Sequence, residues 1–209
     1  MRTTIGFDLD MTLIDTRPGF RATLAALGDE LGVALPLDDL AERLGPPLDA
    51  TLGPYVDAAL LPAAIARFRV LYVDHAIAPV PVLPGAHEAL AAVHDRGGRV
   101  VLVTGKYAPN ARRHVEHLGL AVDVLHGEVW GVGKADALRA EGAVAYVGDH
   151  VHDVEGARAA GVLSVSVPSG GCDAAELRAA GTDVVLPGLA DLAAWLDTGW
   201  PGGLATTGR

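Results

Sequence analysis

Two hydropathy patterns divide the chain. From residue 84 onward, short apolar runs alternate with amphipathic stretches. They predict helices over 85–96, 109–118, 134–140, 153–160, 174–180 and 189–196, and strands over 99–103, 122–125, 144–147, 162–167 and 183–186. Such alternation implies a parallel sheet covered by helices on both faces. Between residues 20 and 78 no strand periodicity is visible. Apolar spacing there gives helices over 20–31, 37–44, 48–52 and 58–78, with Gly32 and Gly45-Pro46-Pro47 as breaks. Thr16 is the candidate cap of the first of these, with Pro18 in its first turn. Pro79, Pro81 and Pro84 read as a stiff linker closing the helical segment. The expected architecture is α/β. A parallel-sheet core comes from residues 1–15 and 83–209, and a small helical domain, 16–82, is inserted after the first strand. Residues 198–209 are Gly- and Thr-rich without periodicity and read as a tail, with Trp200 as its candidate anchor.

With 209 residues, half of them hydrophobic, the chain can bury one full α/β core plus an insert. The net charge of -10 and the lack of a basic run argue against nucleic acid and anionic membranes as partners. An anionic small molecule then requires a local positive site. Cys172 is the only cysteine, so no intrachain disulfide forms, which fits a cytoplasmic protein. No charged-then-apolar leader opens the sequence, and no uncharged apolar stretch reaches the length of a membrane span. Lysine occurs only at 106 and 134, so each is worth weighing as a site residue.

The apolar run over 5–9 is interrupted by Asp8 and followed by Asp10. Residues i and i+2 of an extended chain point to one side, so both carboxylates can converge above the strand's carboxyl end, where open α/β sheets bind ligands. Two close carboxylates call for a cation, a shared proton, or both. The same residues also suit a strand followed by an Asp-rich turn. Other polar signals fall at later strand ends. Thr104-Gly105-Lys106 offers a hydroxyl and amides to an anion, or Thr104 is a local cap. Lys134 opens a helix against the helix dipole, so an anionic neighbour should compensate it, unless it is a surface lysine. Asp149 and Asp153 supply hard oxygen ligands of the kind magnesium takes, although Asp153 also suits a helix cap. His150 and His152 flank this loop without ranking as ligands, and Cys172 reads as structural.

The order Asp-x-Asp-x-Thr, Thr, Lys, Gly-Asp-x-x-x-Asp resembles the haloacid dehalogenase-like hydrolases, in their phosphoglycolate phosphatase-like branch. The resemblance covers all but the tail. Arg43-Leu44-Gly45-Pro46-Pro47-Leu48 is similar to a loop in the caps of that branch. The family implies a Rossmann-like core with a helical cap, Mg²⁺ as cofactor, and hydrolysis of a small phosphorylated metabolite by a monomer or homodimer. Asp8 is then the nucleophile and Asp10 the acid/base. Leu9, Asp10, Thr104, Gly105 and Lys134 surround the phosphoryl group. Asp8, Asp10 (through its backbone carbonyl) and Asp149 hold the metal, with Asp153 nearby.

Met11 stands where the family often has glycine, and Ala135 replaces a frequent proline after Lys134, which leaves Lys106 as a possible substitute. A 5′-nucleotidase or pyrophosphatase on the same fold is the alternative activity. A receiver-type phospho-acceptor switch is less consistent with the length and the helical insert. A 2-haloacid dehalogenase lacks the second acid, and a decayed non-catalytic site would not keep the whole set of groups. For substrate contacts, Arg17, Arg21, Arg43, Tyr55, Arg67 and Tyr72 are the candidates in the insert.

Overall fold

In the computed structural model, residues 2–44 and 46–198 are described. Six strands form the core: β1 (Thr4–Phe7), β2 (Arg99–Val103), β3 (Val124–His126), β4 (Ala143–Gly148), β5 (Leu163–Ser166) and β6 (Val184–Val185). They make one sheet in the order β3-β2-β1-β4-β5-β6, and every pairing is parallel. Chain order runs outward from β1 to β3 on one side and from β4 to β6 on the other. The boundary between β1 and β4 is therefore the switch point where such sheets open a crevice at their carboxyl ends.

The connections are helical, as the alternation after residue 84 predicts: α5 (Ala86–Asp95), α6 (Ala108–His117), α7 (Lys134–Ala140), α8 (Val151–Ala160), α9 (Ala174–Ala179) and α10 (Leu192–Asp197). Between β1 and α5 lie α1 (Arg17–Leu31), α2 (Leu37–Glu42), α3 (Leu48–Leu52) and α4 (Leu61–His75). Among the described residues this stretch contains no strand.

Two apolar clusters account for most of the burial. One fills the sheet around Ile5, Phe7, Leu102, Val147 and Val165. The other belongs to the helical stretch, around Phe20, Leu24, Leu27, Phe68 and Leu71, where the Phe20 and Phe68 rings meet edge to face at 5.4 Å. The proline-rich segment is tied to the chain's first crossover. Val82 pairs antiparallel with Ile14, and the Asp15 amide donates to Pro81 O at 3.0 Å.

Several boundaries differ from the expectation. Helix α1 starts at Arg17, and Thr16 at its N-cap position makes no side-chain capping bond. Helix α4 is a turn shorter than the apolar pattern at its start and ends at His75, and β3 begins only at Val124. Gly45 and residues 199–209, including Trp200 and nearly all of the expected tail, lie outside the described residues. Among the described residues no helix is long and apolar enough to cross a membrane.

Candidate active site

Strand β1 delivers Asp8 directly past its last paired residue, with the Asp8 amide donating to Val147 O at 2.9 Å. The chain then turns sharply. The Leu9 carbonyl accepts from the amides of Leu13 at 2.9 Å and Ile14 at 3.1 Å, while the Leu9 side chain is buried in the sheet core. The turn places Met11 at φ 62, the left-handed region that costs a residue with a Cβ roughly 1–2 kcal/mol. Met11 is the one position where the sequence departs from the glycine its resemblance suggests, and the backbone there does take a positive φ.

The sequence-derived residues gather at this edge. Lys134, first residue of α7, donates to Asp8 Oδ1 at 2.7 Å, to Asp153 Oδ1 at 2.7 Å and to the Tyr146 hydroxyl at 2.8 Å. The three protons of an ammonium thus meet three acceptors, which answers the conflict with the helix dipole. Burial alone would lower the affinity of Lys134 for its proton. Asp153 first, and Asp8 next, outweigh burial and raise it. Lys106, the possible substitute, contacts the other acid instead, with its ammonium 2.7 Å from Asp10 Oδ1.

Asp8, Asp149 and Asp153 are all buried, and one oxygen of each lies within 4.8 Å of the others. Burial pushes the Asp8 carboxyl up to about 7 against the pull of Lys134, with Asp153 and Asp10 adding to the rise. Burial also drives Asp149 well above the usual carboxylate range, reinforced by Asp153 and Asp8. Three carboxylates face a single ammonium here, and the remaining negative charge fits a divalent cation, the partner that buried carboxylates of this kind take. Among the described residues, Asp8, Asp149 and Asp153 form the group of side chains able to hold one.

Asp10 behaves differently. Its burial favours the neutral acid, yet Lys106 and Thr16 outweigh that and hold it below the usual range. Both donate to the same atom, Oδ1, Thr16 Oγ1 at 2.8 Å and Lys106 Nζ at 2.7 Å. The carboxylate of Asp10 therefore stands apart from the cluster of three, and the metal role the resemblance gives Asp10 is one for its backbone carbonyl. The expected cap function of Thr16 gives way to this bond.

Asp153 is both a cap and a site residue. Because α8 starts at Val151, Asp153 is its third residue. Its Oδ2 accepts from the amides of Asp149 at 3.2 Å and His150 at 3.1 Å, while Oδ1 faces Lys134. Thr104 is buried, and its hydroxyl accepts from the Lys106 amide at 3.2 Å. His150 and His152 hold the loop, the His152 amide donating to His150 Nδ1 at 3.2 Å. Cys172 is free and buried.

A cavity of about 340 Å³ covers these groups, roofed by α1, α3 and α4, within the size range of small-ligand sites. Of the six candidate contacts in the insert, only Arg43 and Tyr72 line it. Arg17, Arg21 and Arg67 pair with Asp15, Asp38 and Glu30, and Tyr55 packs in the helical cluster. Arg69, Asn110 and Trp130 line the cavity without having been singled out by sequence.

Two further residues support the site from below. Thr12 Oγ1 donates to Asp149 Oδ1 at 2.6 Å. The Tyr146 hydroxyl, fully buried, donates to Val103 O at 2.6 Å and presents its oxygen to Lys134. A Cβ on Gly6 would lie 2.6 Å from Leu138 Cδ2 and 2.8 Å from the Tyr146 ring, so the glycine inside β1 marks the close approach of both side chains. That glycine was the only sequence signal for Tyr146.

The strand-order switch point thus carries three buried carboxylates, a paired lysine and a second acid held by Lys106, and comparison with known proteins gives the class. The family described as haloacid dehalogenase-like hydrolase matches residues 5–158, and a related hydrolase family matches residues 132–192. The phosphoglycolate phosphatase of Rhodospirillum rubrum is 33% identical over 224 residues, covering 94% of this chain and 92% of that protein. The tyrosine-protein kinase PtkA of Mycobacterium tuberculosis is 30% identical over 178 residues, and the chain spans 60% of its length. Among solved structures, a haloacid dehalogenase-like hydrolase, SP0104 of Streptococcus pneumoniae, superposes with a TM-score of 0.82 at 22% identity, covering 93% of this chain and 98% of that one. The chain belongs to the haloacid dehalogenase-like hydrolases, in their phosphoglycolate phosphatase-like branch.

Proposed function

We propose that the protein is a Mg²⁺-dependent phosphatase that hydrolyses a small phosphorylated metabolite through a phosphoryl group carried on Asp8. The observation that carries this reading is the Lys134 ammonium, shared at 2.7 Å between Asp8 and Asp153 beside Asp149. It is a site that holds a carboxylate nucleophile and offsets the charge of an incoming phosphoryl group.

In this reading Asp8 attacks phosphorus, and the P–O bond to the leaving alcohol breaks. Asp10 gives that alcohol its proton. Lys106 keeps Asp10 ionised in the resting site. The phosphoryl group arriving as a second anion raises its affinity for a proton, so Asp10 takes one up from solvent as the substrate binds, and this is the proton it passes to the alcohol. Water then attacks the phosphorus on Asp8, Asp10 takes its proton, and inorganic phosphate leaves. Thr104, with the backbone of Leu9, Asp10 and Gly105, orients the phosphoryl oxygens. Asp8, Asp149 and the Asp10 carbonyl would hold the cation, with Asp153 close by, and it would supply the positive charge this cluster lacks. Residues 16–82 act as a cap over a core made of 1–15 and 83–209, and the leaving group faces the cap.

The relatives named phosphoglycolate phosphatase support 2-phosphoglycolate as the first substrate to try. Phosphate release should be screened over phosphorylated metabolites with Mg²⁺, including nucleoside monophosphates and pyrophosphate. Turnover of a phosphomonoester that EDTA abolishes and Mg²⁺ restores is the expected result. Full activity in chelator contradicts the metal assignment. The likeness to PtkA adds one arm: ATP with a tyrosine peptide, where phosphate appearing on the peptide instead of in solution would redirect the reading to transfer.

A further inference from the structure

Tyr72 lies on α4, in the roof of the cavity, yet it contacts the machinery on the other side. Its hydroxyl lies 3.0 Å from His114 Nε2 on α6, and its ring meets the His114 ring edge to face at 5.6 Å. The Lys106 ammonium sits 4.6 Å from the centre of the Tyr72 ring, within cation–π range. Lys106 in turn holds Asp10 Oδ1. Tyr72 and His114 are both buried, and His114 Nδ1 has no partner among the described residues. A buried histidine with an unsatisfied nitrogen is costly, so the contact with Tyr72 is its remaining polar anchor.

Because Thr16 and Lys106 both bind Oδ1, Oδ2 is the oxygen of Asp10 left to exchange a proton with the substrate. Its aim depends on where Lys106 is held. We infer that Tyr72, anchored by His114, is a positioning residue: it fixes Lys106, and through it the proton-transferring oxygen of Asp10, only when the helical insert is seated on the sheet edge. The device couples closure of the cavity to leaving-group protonation. It therefore marks the protein for esters of alcohols, whose oxygen needs that proton. The inference rests on the phosphatase reading above.

The test compares kcat/KM on an alkyl ester (2-phosphoglycolate or glycerol 3-phosphate) with that on p-nitrophenyl phosphate, whose phenolate leaves without a proton. This parameter reports steps up to the first P–O cleavage. Tyr72→Phe keeps the ring but removes the bond to His114, and His114→Leu removes it from the other side. Acid–base help is worth about 10²–10⁴-fold, and misaiming it is expected to cost about ten-fold on the alkyl ester and under about two-fold on the aryl ester. His114→Gln, which retains a hydrogen-bonding group for the tyrosine, should recover most of the alkyl activity. The double variant Tyr72→Phe/His114→Leu should be no worse than either single one, as partners in one interaction are non-additive. Equal losses on both esters, or no loss on either, overturn the inference alone. A wild-type protein inactive on both overturns the phosphatase reading and this inference with it.

Discussion

A Cβ on Gly170 would lie 1.8 Å from Asp149 Oδ2 and 3.1 Å from Met11 Cβ. The loop after β5 thus presses bare backbone against the Asp149 carboxylate, while Ser169 Oγ donates to Met11 O at 2.6 Å and braces the strained turn. Gly170→Ala is expected to fold but to displace Asp149. Misplacement of a reacting or ligating group by about 1 Å can cost about 10²-fold in rate. Two measurements check this: activity falls by about that factor, and the rise in melting temperature that a bound ion gives the folded state shrinks relative to wild type. An unchanged rise would mean that Asp149 tolerates the methyl group and that the close approach has no functional weight. Gly170 was not legible in the sequence, where Gly170-Gly171 looks like any loop, because the contact joins residues far apart in the chain. Asp8 and Asp149 were legible because each is a charge placed at the end of an apolar run, where burial demands a partner, and Lys134 because a cation opening a helix conflicts with the helix dipole.

At the scale of elements, the seam between α4 and α6 is where the helical insert meets the sheet domain through buried polar groups. Burial holds His114 neutral, its pKa pushed down to about 3, with Lys106 adding to the shift. The sign follows from linkage. The unfolded chain takes up a proton as pH falls below about 6.5, the folded chain does not, and stability is lost as pH drops through that window. The loss attributable to His114 is roughly 1–2 kcal/mol between pH 6.5 and 5. His114→Gln should flatten this part of the stability curve while leaving the curve above pH 7 parallel to wild type, measured by urea denaturation. A variant whose loss on acidification matches wild type would contradict a neutral His114. Element identity was largely readable from periodicity: β2, α3 and α7 fall at the expected residues. The misjudged boundaries have local causes. Thr16 was read as a cap from its position before Pro18, but the Asp10 carboxylate takes its hydroxyl. The apolar residues at 58–60 and 76–78 extend α4 in pattern, whereas Asp57 O accepts from the amides of Leu60 at 2.8 Å and Leu61 at 3.0 Å, a turn that delays the helix.

For the molecule as a whole, function depends on two separately packed clusters meeting over one charge-imbalanced edge. Alternation of strands and helices was enough to foresee the parallel sheet, since each helical crossover returns the chain to lay the next strand parallel and covers a face of the sheet. The cavity roof was less legible. Arginine faces on short helices look alike in sequence, and pairing with Asp15, Asp38 and Glu30 removed three of the six candidates that sequence offered. The buried carboxylates make a further prediction for the intact protein. Mg²⁺ should raise the melting temperature and EDTA reverse it, and Asp149→Asn should abolish the response, because the ion stabilises only the state that assembles its ligands. A shift that survives Asp149→Asn would move the ion elsewhere. The central claim is that Asp8 carries the phosphoryl group and Asp10 moves the protons. It is tested most directly by the intact mass of Asp10→Asn after incubation with p-nitrophenyl phosphate and Mg²⁺. An aryl leaving group needs no acid, but hydrolysis of the second bond needs a base, so this variant should accumulate the added mass of one phosphoryl group, located by peptide mapping to Asp8 and absent from Asp8→Asn. Phosphate retained by Asp8→Asn, or none trapped by Asp10→Asn together with equal losses on aryl and alkyl esters, would contradict the account.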